Sequence, residues 1–397
     1  MAKLLQASGE VSICFGEELN YGTKVNWNPG NTSKVMHTNT GIIGTMGTGK
    51  TQFTKSVVTQ LSQSAANNVE GKPIGILIFD YKGDYLDDAF TQATGAKIYQ
   101  LHNLPYNPLA IDVSENSMPL LPLHIASTLQ ETISNAFNLG NKQKALLKET
   151  IMEAYAEKGI YKNKPETWTK TAPTISDVCE HYLGNEKVAV DSLHAALNQL
   201  HDFEIFQPDG TKTQSLYELI SGVTVIKLSG YSPDIQNLVV AITLDAFYSQ
   251  MQKNGHSKIK GNYRQLSKMI LVDEADNFLS KNFLSLRKIL KEGREFGVGT
   301  ILSTQFLNHF STGENEYEQY ILTWIIHRVS DVKVKDIDTL FAIKDKDKKE
   351  KLIQTIKDLQ KHQSLVSLGG SMPVIIEDLP FYKLLQQNQS PQENNKP

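Results

Sequence analysis

Eight consecutive residues, Gly44-Thr45-Met46-Gly47-Thr48-Gly49-Lys50-Thr51, restrict this chain more than anything else in it. They fill every fixed position of G-x-x-x-x-G-K-[ST]. The short apolar run Gly41-Ile42-Ile43 precedes them, and Gln52 to Ser64, with helical character, follows. The motif therefore sits at a strand-to-helix turn. Its glycines let backbone N–H groups turn inward around phosphates, where a β-carbon would obstruct the approach. The opening helix adds the positive end of its dipole. Lys50 is expected to reach the β- and γ-phosphates of ATP and the Thr51 hydroxyl to ligate Mg²⁺, with Gln52 completing the nucleotide cradle. An ordinary Gly-rich turn would leave the four fixed positions and the flanking elements unexplained.

A strand before such a loop and a helix after it call for further strands, and the sequence supplies them. Ile74 to Phe79 is a fully apolar run ending in Asp80, as suits a strand buried on both faces of a parallel sheet. Val223 to Leu228, Lys268 to Val272, Gly299 to Ser303 and Leu322 to Ile326 read as strands too. Earlier, Val11 to Phe15 and Thr23 to Trp27 are short β segments, the second ended by the turn signal Asn28-Pro29-Gly30-Asn31. Ser364 to Ser367 and Pro373 to Ile376, with Gly369-Gly370 between them, look like a hairpin. From about Met118 to Ile220 apolar residues recur at helical spacing. The expected fold is α/β, with a central, mainly parallel sheet, short N-terminal β segments and an all-helical insertion. Residues 1–117 would hold the β segments and the first half of the core, 118–220 the insertion, 221–385 the second half, and 386–397 a disordered tail rich in Gln, Asn and Pro.

In a sheet of this kind ligands bind beyond the carboxyl ends of the strands, where the distinctive residues lie. Ile270-Leu271-Val272 delivers Asp273 and Glu274 side by side. Phosphoryl transfer needs one carboxylate to hold the magnesium shell, assigned to Asp273, and another to polarise the attacking water, assigned to Glu274. Gln305 follows another strand and is the candidate sensor of γ-phosphate and water. Asp80, with Lys82, Gly83 and Asp84, borders the site either as a turn-capping group or as a catalytic one. Asp276 reads as a surface or helix N-cap residue. Arg328 and Arg294 are each a surface arginine or a residue supplied to a neighbouring subunit's phosphate. Asn282 to Arg294 carries Arg287, Lys288, Lys291 and Arg294 in a helical pattern, either a solvated face or a phosphate-facing one.

Composition narrows the classes. Forty Lys and Arg against 43 Asp and Glu give a net charge of -3, so any field for nucleic acid must be local. The two cysteines, Cys14 and Cys179, carry no zinc or disulfide spacing. The absence of a signal-like start and of an apolar stretch of about 20 residues points to a cytoplasmic protein without direct membrane contact. Asn-Lys-x-Asp, G-x-S-x-G and HExxH are absent, arguing against guanine recognition, acyl transfer and zinc hydrolysis.

With these residues placed, the chain resembles the HerA/FtsK superfamily of RecA-like P-loop ATPases. The resemblance runs from about residue 10 to 380. It rests on the loop at 44–51, Phe79-Asp80-Tyr81-Lys82-Gly83-Asp84-Tyr85, Val225 to Gly230, Leu271 to Ala275, Glu292 to Gly297 running into Ser303-Thr304-Gln305, and His327-Arg328-Val329-Ser330. Within it, Asn39 to Met46 and Phe79 to Tyr85 are most similar to the ATPase module of the DptH (DndH) family, which serves phosphorothioation-dependent DNA restriction. The resemblance implies ATP hydrolysis by a hexameric ring acting on double-stranded DNA, a nuclease or other restriction-system partner, and Arg328 as an arginine acting between subunits. A nucleotide-gated scaffold that recruits a nuclease without moving DNA is the alternative.

Overall fold

The computed structural model describes residues 9–113, 117–184, 189–279, 283–312, 315–341, 343, 345–369 and 372–389. The chain divides into two compact units. The first comprises Met1–Ile98, Ile220–Val225 and His256–Pro397, the second Tyr99–Leu219 and Ile226–Gly255.

The sheet is built from eleven strands: β1 (Ile13–Glu18), β2 (Lys24–Trp27), β3 (Thr40–Ile43), β4 (Gly75–Asp80), β5 (Lys97–Gln100), β6 (Val223–Lys227), β7 (Lys268–Val272), β8 (Val298–Thr304), β9 (Thr323–Ile326), β10 (Gln363–Ser367) and β11 (Val374–Asp378). Their order is β2-β1-β11-β10-β9-β3-β8-β7-β4-β6-β5. The block β9-β3-β8-β7-β4 is parallel, and every residue of β3, β4, β7, β8 and β9 is buried. Apolar runs such as Met269 to Val272 form strands here because both of their faces are covered. The N-terminal segments do not stand apart. Strand β1 pairs antiparallel with β2 and β11, and β11 with β10, which pairs antiparallel with β9. They extend the sheet along one edge, held by Phe15 stacked on Trp27 at 5.7 Å and set edge-on to Phe53 at 5.2 Å.

The helix α1 (Lys50–Gln63) buries Phe53, Val57, Val58 and Leu61 in the core beside Phe15, Ile42 and Ile76. The hairpin expected near residue 370 is β10–β11, with Gly370 itself outside the described residues. Of the expected tail, residues up to Gln389 complete the helix Phe381–Gln389, and the rest lies outside the described residues.

The second unit is helical: Leu121–Phe137, Asn141–Glu157, Ile175–Leu183, Ser192–Asp202 and Pro233–Asn254 are its longest elements. Thr174 opens one of them with a reciprocal cap to Asp177, the side chain of each accepting the other's backbone N–H. Tyr155 Oη donates to the Leu109 carbonyl at 2.6 Å, and the Tyr106 and Thr243 hydroxyls are 2.6 Å apart. This division differs from the boundaries expected at 118 and 220. The unit begins at Tyr99 and also takes Ile226–Gly255, because Pro233–Asn254 packs on Leu121–Phe137.

Candidate functional site

Register explains why distant residues meet. Ile43 at the end of β3 lies opposite Thr304 of β8 and Ile326 of β9, Val272 of β7 opposite Leu302, and Phe79 of β4 opposite Val272. The carboxyl ends of the five parallel strands therefore form one rim, and the segments that follow β3, β4 and β7 bring Lys50, Lys82 and Glu274 to one cleft. Backbone hydrogen bonds fix the turns leaving that rim. Gly44 N–H donates to the Thr304 carbonyl at 3.2 Å, Thr45 N–H to Arg328 at 3.0 Å, and Ala275 N–H to Ser303 at 2.7 Å.

The loop from Gly44 to Gly49 needs its glycines for two reasons. A β-carbon on Gly44 would lie 2.6 Å from His327 Cβ. Gly49, at φ 110°, is the N-cap of α1 and offers no side chain to that helix's first N–H groups. Those donors are left to a ligand, as an anion-binding helix end requires. Lys50, only 8% exposed, donates through Nζ to the Gly44 carbonyl and, at 3.3 Å, to Thr45. Burial pulls its pKa below the ordinary lysine value, with Glu274 and Asp273 acting in the opposite direction.

Asp273 and Glu274 leave β7 facing this loop. Asp273 is buried and accepts the Tyr85 hydroxyl at 3.0 Å; burial pushes its carboxyl above the usual range. Glu274 is held from two sides. Its Oε1 pairs with the Lys82 ammonium, and its Oε2 accepts Gln305 Nε2 at 3.0 Å. Burial raises the Glu274 carboxyl, but Lys82 and Gln305 outweigh burial and hold it below the ordinary value. Glu274 also sits at φ 54°, a left-handed conformation that costs a non-glycine residue about 1 kcal/mol or more and persists where surrounding contacts impose it. Gln305 is half-buried and thus touches the carboxylate assigned to the water.

Asp80 has a structural role. Its Oδ1 accepts the N–H groups of Lys82, Gly83 and Asp84, and its Oδ2 that of Tyr85. It staples the loop that presents Lys82 and Tyr85. Asp276 stands at the start of the short helix Asp276–Leu279, as one of its two expected roles requires. It is half-buried, and burial raises its carboxyl. Arg328 is exposed; its carbonyl receives the Thr45 N–H and hydroxyl, and its side chain does not line the cleft. Arg294 lies in the turn Gly293–Phe296, also outside the cleft's lining. Of the basic segment 282–294, Asn282 is outside the described residues. Arg287 and Lys288, on the helix Leu284–Glu292, are half-buried and each already has an interaction partner, while Lys291 is exposed.

The cleft has a volume of about 630 Å³ and is lined by Thr45, Lys50, Thr51, Gln52, Lys82 and Glu274, among others. Three lining residues had no signal in the sequence: Lys361, His362 and Tyr382. Beneath the loop lies another unforeseen pair, His327 and Asp378, both fully buried, with Nδ1 and Oδ2 3.4 Å apart. Burial pulls His327 down to about 3 and pushes Asp378 up to about 7, the latter against a hydrogen bond from Ser364 at 2.6 Å. Among the described residues, no three His, Cys, Asp or Glu side chains are grouped to hold a metal by themselves. A magnesium site here fits one carboxylate and one hydroxyl completed by substrate phosphates, the usual arrangement for that ion. No helix of the described residues is long and apolar enough to cross a membrane.

The fold has counterparts among known proteins. The chain superposes on VirB4 of Thermoanaerobacter pseudethanolicus with a TM-score of 0.70 and 14% identity, covering 94% of this chain and 97% of that one. It superposes on the plasmid coupling protein TrwB in complex with ADP and Mg²⁺ with a TM-score of 0.53 and 15% identity, covering 86% and 84%. TrwB in complex with the non-hydrolysable ATP analogue ADPNP gives 0.54 and 14% identity over 86% and 85%. No curated protein sequence matches. The fold is thus that of the RecA-like P-loop ATPases. The family model described as "Helicase HerA, central domain" matches residues 31–247, more than half of the 397, and the chain belongs to that family.

Proposed function

We propose that this chain hydrolyses ATP with Mg²⁺ and couples the reaction to movement along double-stranded DNA as a HerA/FtsK-type ring. The observation that carries the reading is that Lys50 and Glu274 line one cleft, with Asp273 buried next to them and within electrostatic reach of Lys50. A triphosphate fits the glycine loop and the open end of α1, where backbone N–H groups and the buried Lys50 ammonium neutralise its charge. Mg²⁺, when bound, supplies a Lewis acid for the phosphate oxygens; the Thr51 hydroxyl and the Asp273 carboxylate are the groups that would hold it. Glu274, kept ionised by Lys82 and Gln305, accepts a proton from the water that attacks the γ-phosphorus as the bond to the β–γ bridging oxygen breaks.

The finer assignments rest on the family. The helicase description of its central domain supports action on DNA. The ring is assigned as a hexamer, with exposed Arg328 serving the neighbouring subunit's phosphate. The restriction role beside a nuclease, as in the DptH family, is carried by Asn39 to Met46 and Phe79 to Tyr85 alone.

Steady-state ATPase assays with and without duplex DNA, followed by triplex displacement, test the proposal. A motor is stimulated by the duplex and strips a third strand only with ATP. Hydrolysis without displacement would favour an ATP-gated scaffold that recruits a nuclease.

A further inference from the structure

The hydrolytic reading uses the loop and the carboxylate side of the cleft and leaves its third wall unassigned. We propose that Lys361, His362 and Tyr382 form the nucleoside subsite, with the base stacking on the Tyr382 ring. The inference rests on the proposed binding of ATP at the loop.

Three observations carry it. The wall is attached to the phosphate loop itself: His362 N–H donates to the Thr48 carbonyl at 2.9 Å, and a β-carbon on Gly49 would lie 2.6 Å from His362 Nδ1. A nucleotide whose phosphates occupy the loop therefore has this wall within reach of its sugar and base. Second, His362 adopts φ 64°, so the cleft contains a second non-glycine residue in the left-handed region besides Glu274. Such strain is retained where the position of the side chain matters. The segment is pinned by Asp378 N–H donating to the His362 carbonyl at 2.8 Å.

Third, the wall presents groups suited to a base. Tyr382 is 43% exposed, while Phe381 beside it is buried against Phe90 at 5.9 Å and anchors the helix Phe381–Gln389. The Tyr382 ring stands edge-on to His362 at 5.7 Å, which steadies it and leaves ring surface in the cleft. His362 and Gln52 line the cleft, and the buried atoms His362 Nδ1 and Gln52 Oε1 have no hydrogen-bond partner among the described residues. Buried polar atoms are ordinarily paired, and a turn of either side chain toward the cleft would offer its atom to a nucleobase edge or a ribose hydroxyl. Lys361 adds a cation at the same wall.

Calorimetric titration with Mg-ATP and, separately, with Mg-tripolyphosphate tests this, using the Glu274→Gln background to prevent turnover. Base–aromatic stacking predicts that Tyr382→Ala weakens ATP about tenfold and leaves tripolyphosphate unchanged, while Tyr382→Phe binds both as the parent does. His362→Asn, which keeps a residue tolerant of the left-handed region, should weaken ATP selectively as well. Equal losses for both ligands would make the wall a closure of the phosphate loop and overturn the subsite. Unchanged ATP affinity in Tyr382→Ala would also overturn it. A parent that binds neither ligand would remove the ATP reading and this one together.

Discussion

The two walls flanking the phosphate loop are built to opposite rules. On the carboxylate side, the two assigned carboxylates are already engaged: Glu274 by Lys82 and Gln305, Asp273 by Tyr85, and the loop behind them by Asp80. On the opposite side, Tyr382 is exposed, and His362 Nδ1 and Gln52 Oε1 have no protein partner. The difference follows from what each wall meets. A transition state needs charges placed before it forms, because reorganising them during the reaction costs rate. A nucleoside can be gripped by a face and a few polar atoms that it completes on arrival.

Changes to the engaged side should therefore fall on turnover. The largest loss is expected for Lys50→Ala, about a thousandfold in kcat/KM, since the buried ammonium faces the loop and both carboxylates; a steady-state ATPase assay measures it. Lys82→Ala should lower kcat about 30-fold and KM little. It should also move the acid limb of the pH–rate profile upward, because the ammonium is one of the groups holding Glu274 below the usual carboxylate range. Lys82→Arg should restore most of the rate and the limb's position. An unchanged profile in Lys82→Ala would mean that the pair is a surface contact and that this wall is not preset.

A smaller effect is expected below the loop, away from both walls. Asp378 is raised to about 7 by burial, so the folded protein keeps a proton that the unfolded chain has released. Stability from this group is fully present below the unfolded carboxyl's range and is lost as pH rises toward 7, by about 1 kcal/mol per pH unit. In denaturant titrations between pH 5 and 7.5, Asp378→Asn should flatten the dependence by that amount. A parallel course of parent and variant would show that Asp378 is ionised in the fold.

How much of this was legible in the sequence depended on how local each signal was. Gly44 to Thr51 is readable because eight adjacent residues carry the whole geometry, and β4 and β7 because both their faces are covered and Ile76 to Phe79 and Met269 to Val272 are wholly apolar; β8 mixes Thr300, Ser303 and Thr304 with its apolar residues. For Asp80 the sequence allows two roles, and its four backbone partners decide between them. Lys82 stands in a distinctive segment, yet its pairing with Glu274 spans 192 residues and depends on β4 and β7 being neighbours. His362 and Tyr382 lie in ordinary-looking sequence, and only the antiparallel return of β10 and β11 brings them to the loop. Periodicity marks the helices of the second unit but cannot tell that Pro233–Asn254 packs on Leu121–Phe137, far earlier in the chain.

The central claim is that the glycine loop and the β7 carboxylates form one hydrolytic site, and Glu274→Gln tests it most directly. Nucleotide affinity and ATPase rate would be measured on the same preparation. Retained ATP binding with hydrolysis reduced at least a hundredfold is the predicted result. A variant that hydrolyses ATP at the parent's rate would contradict the account.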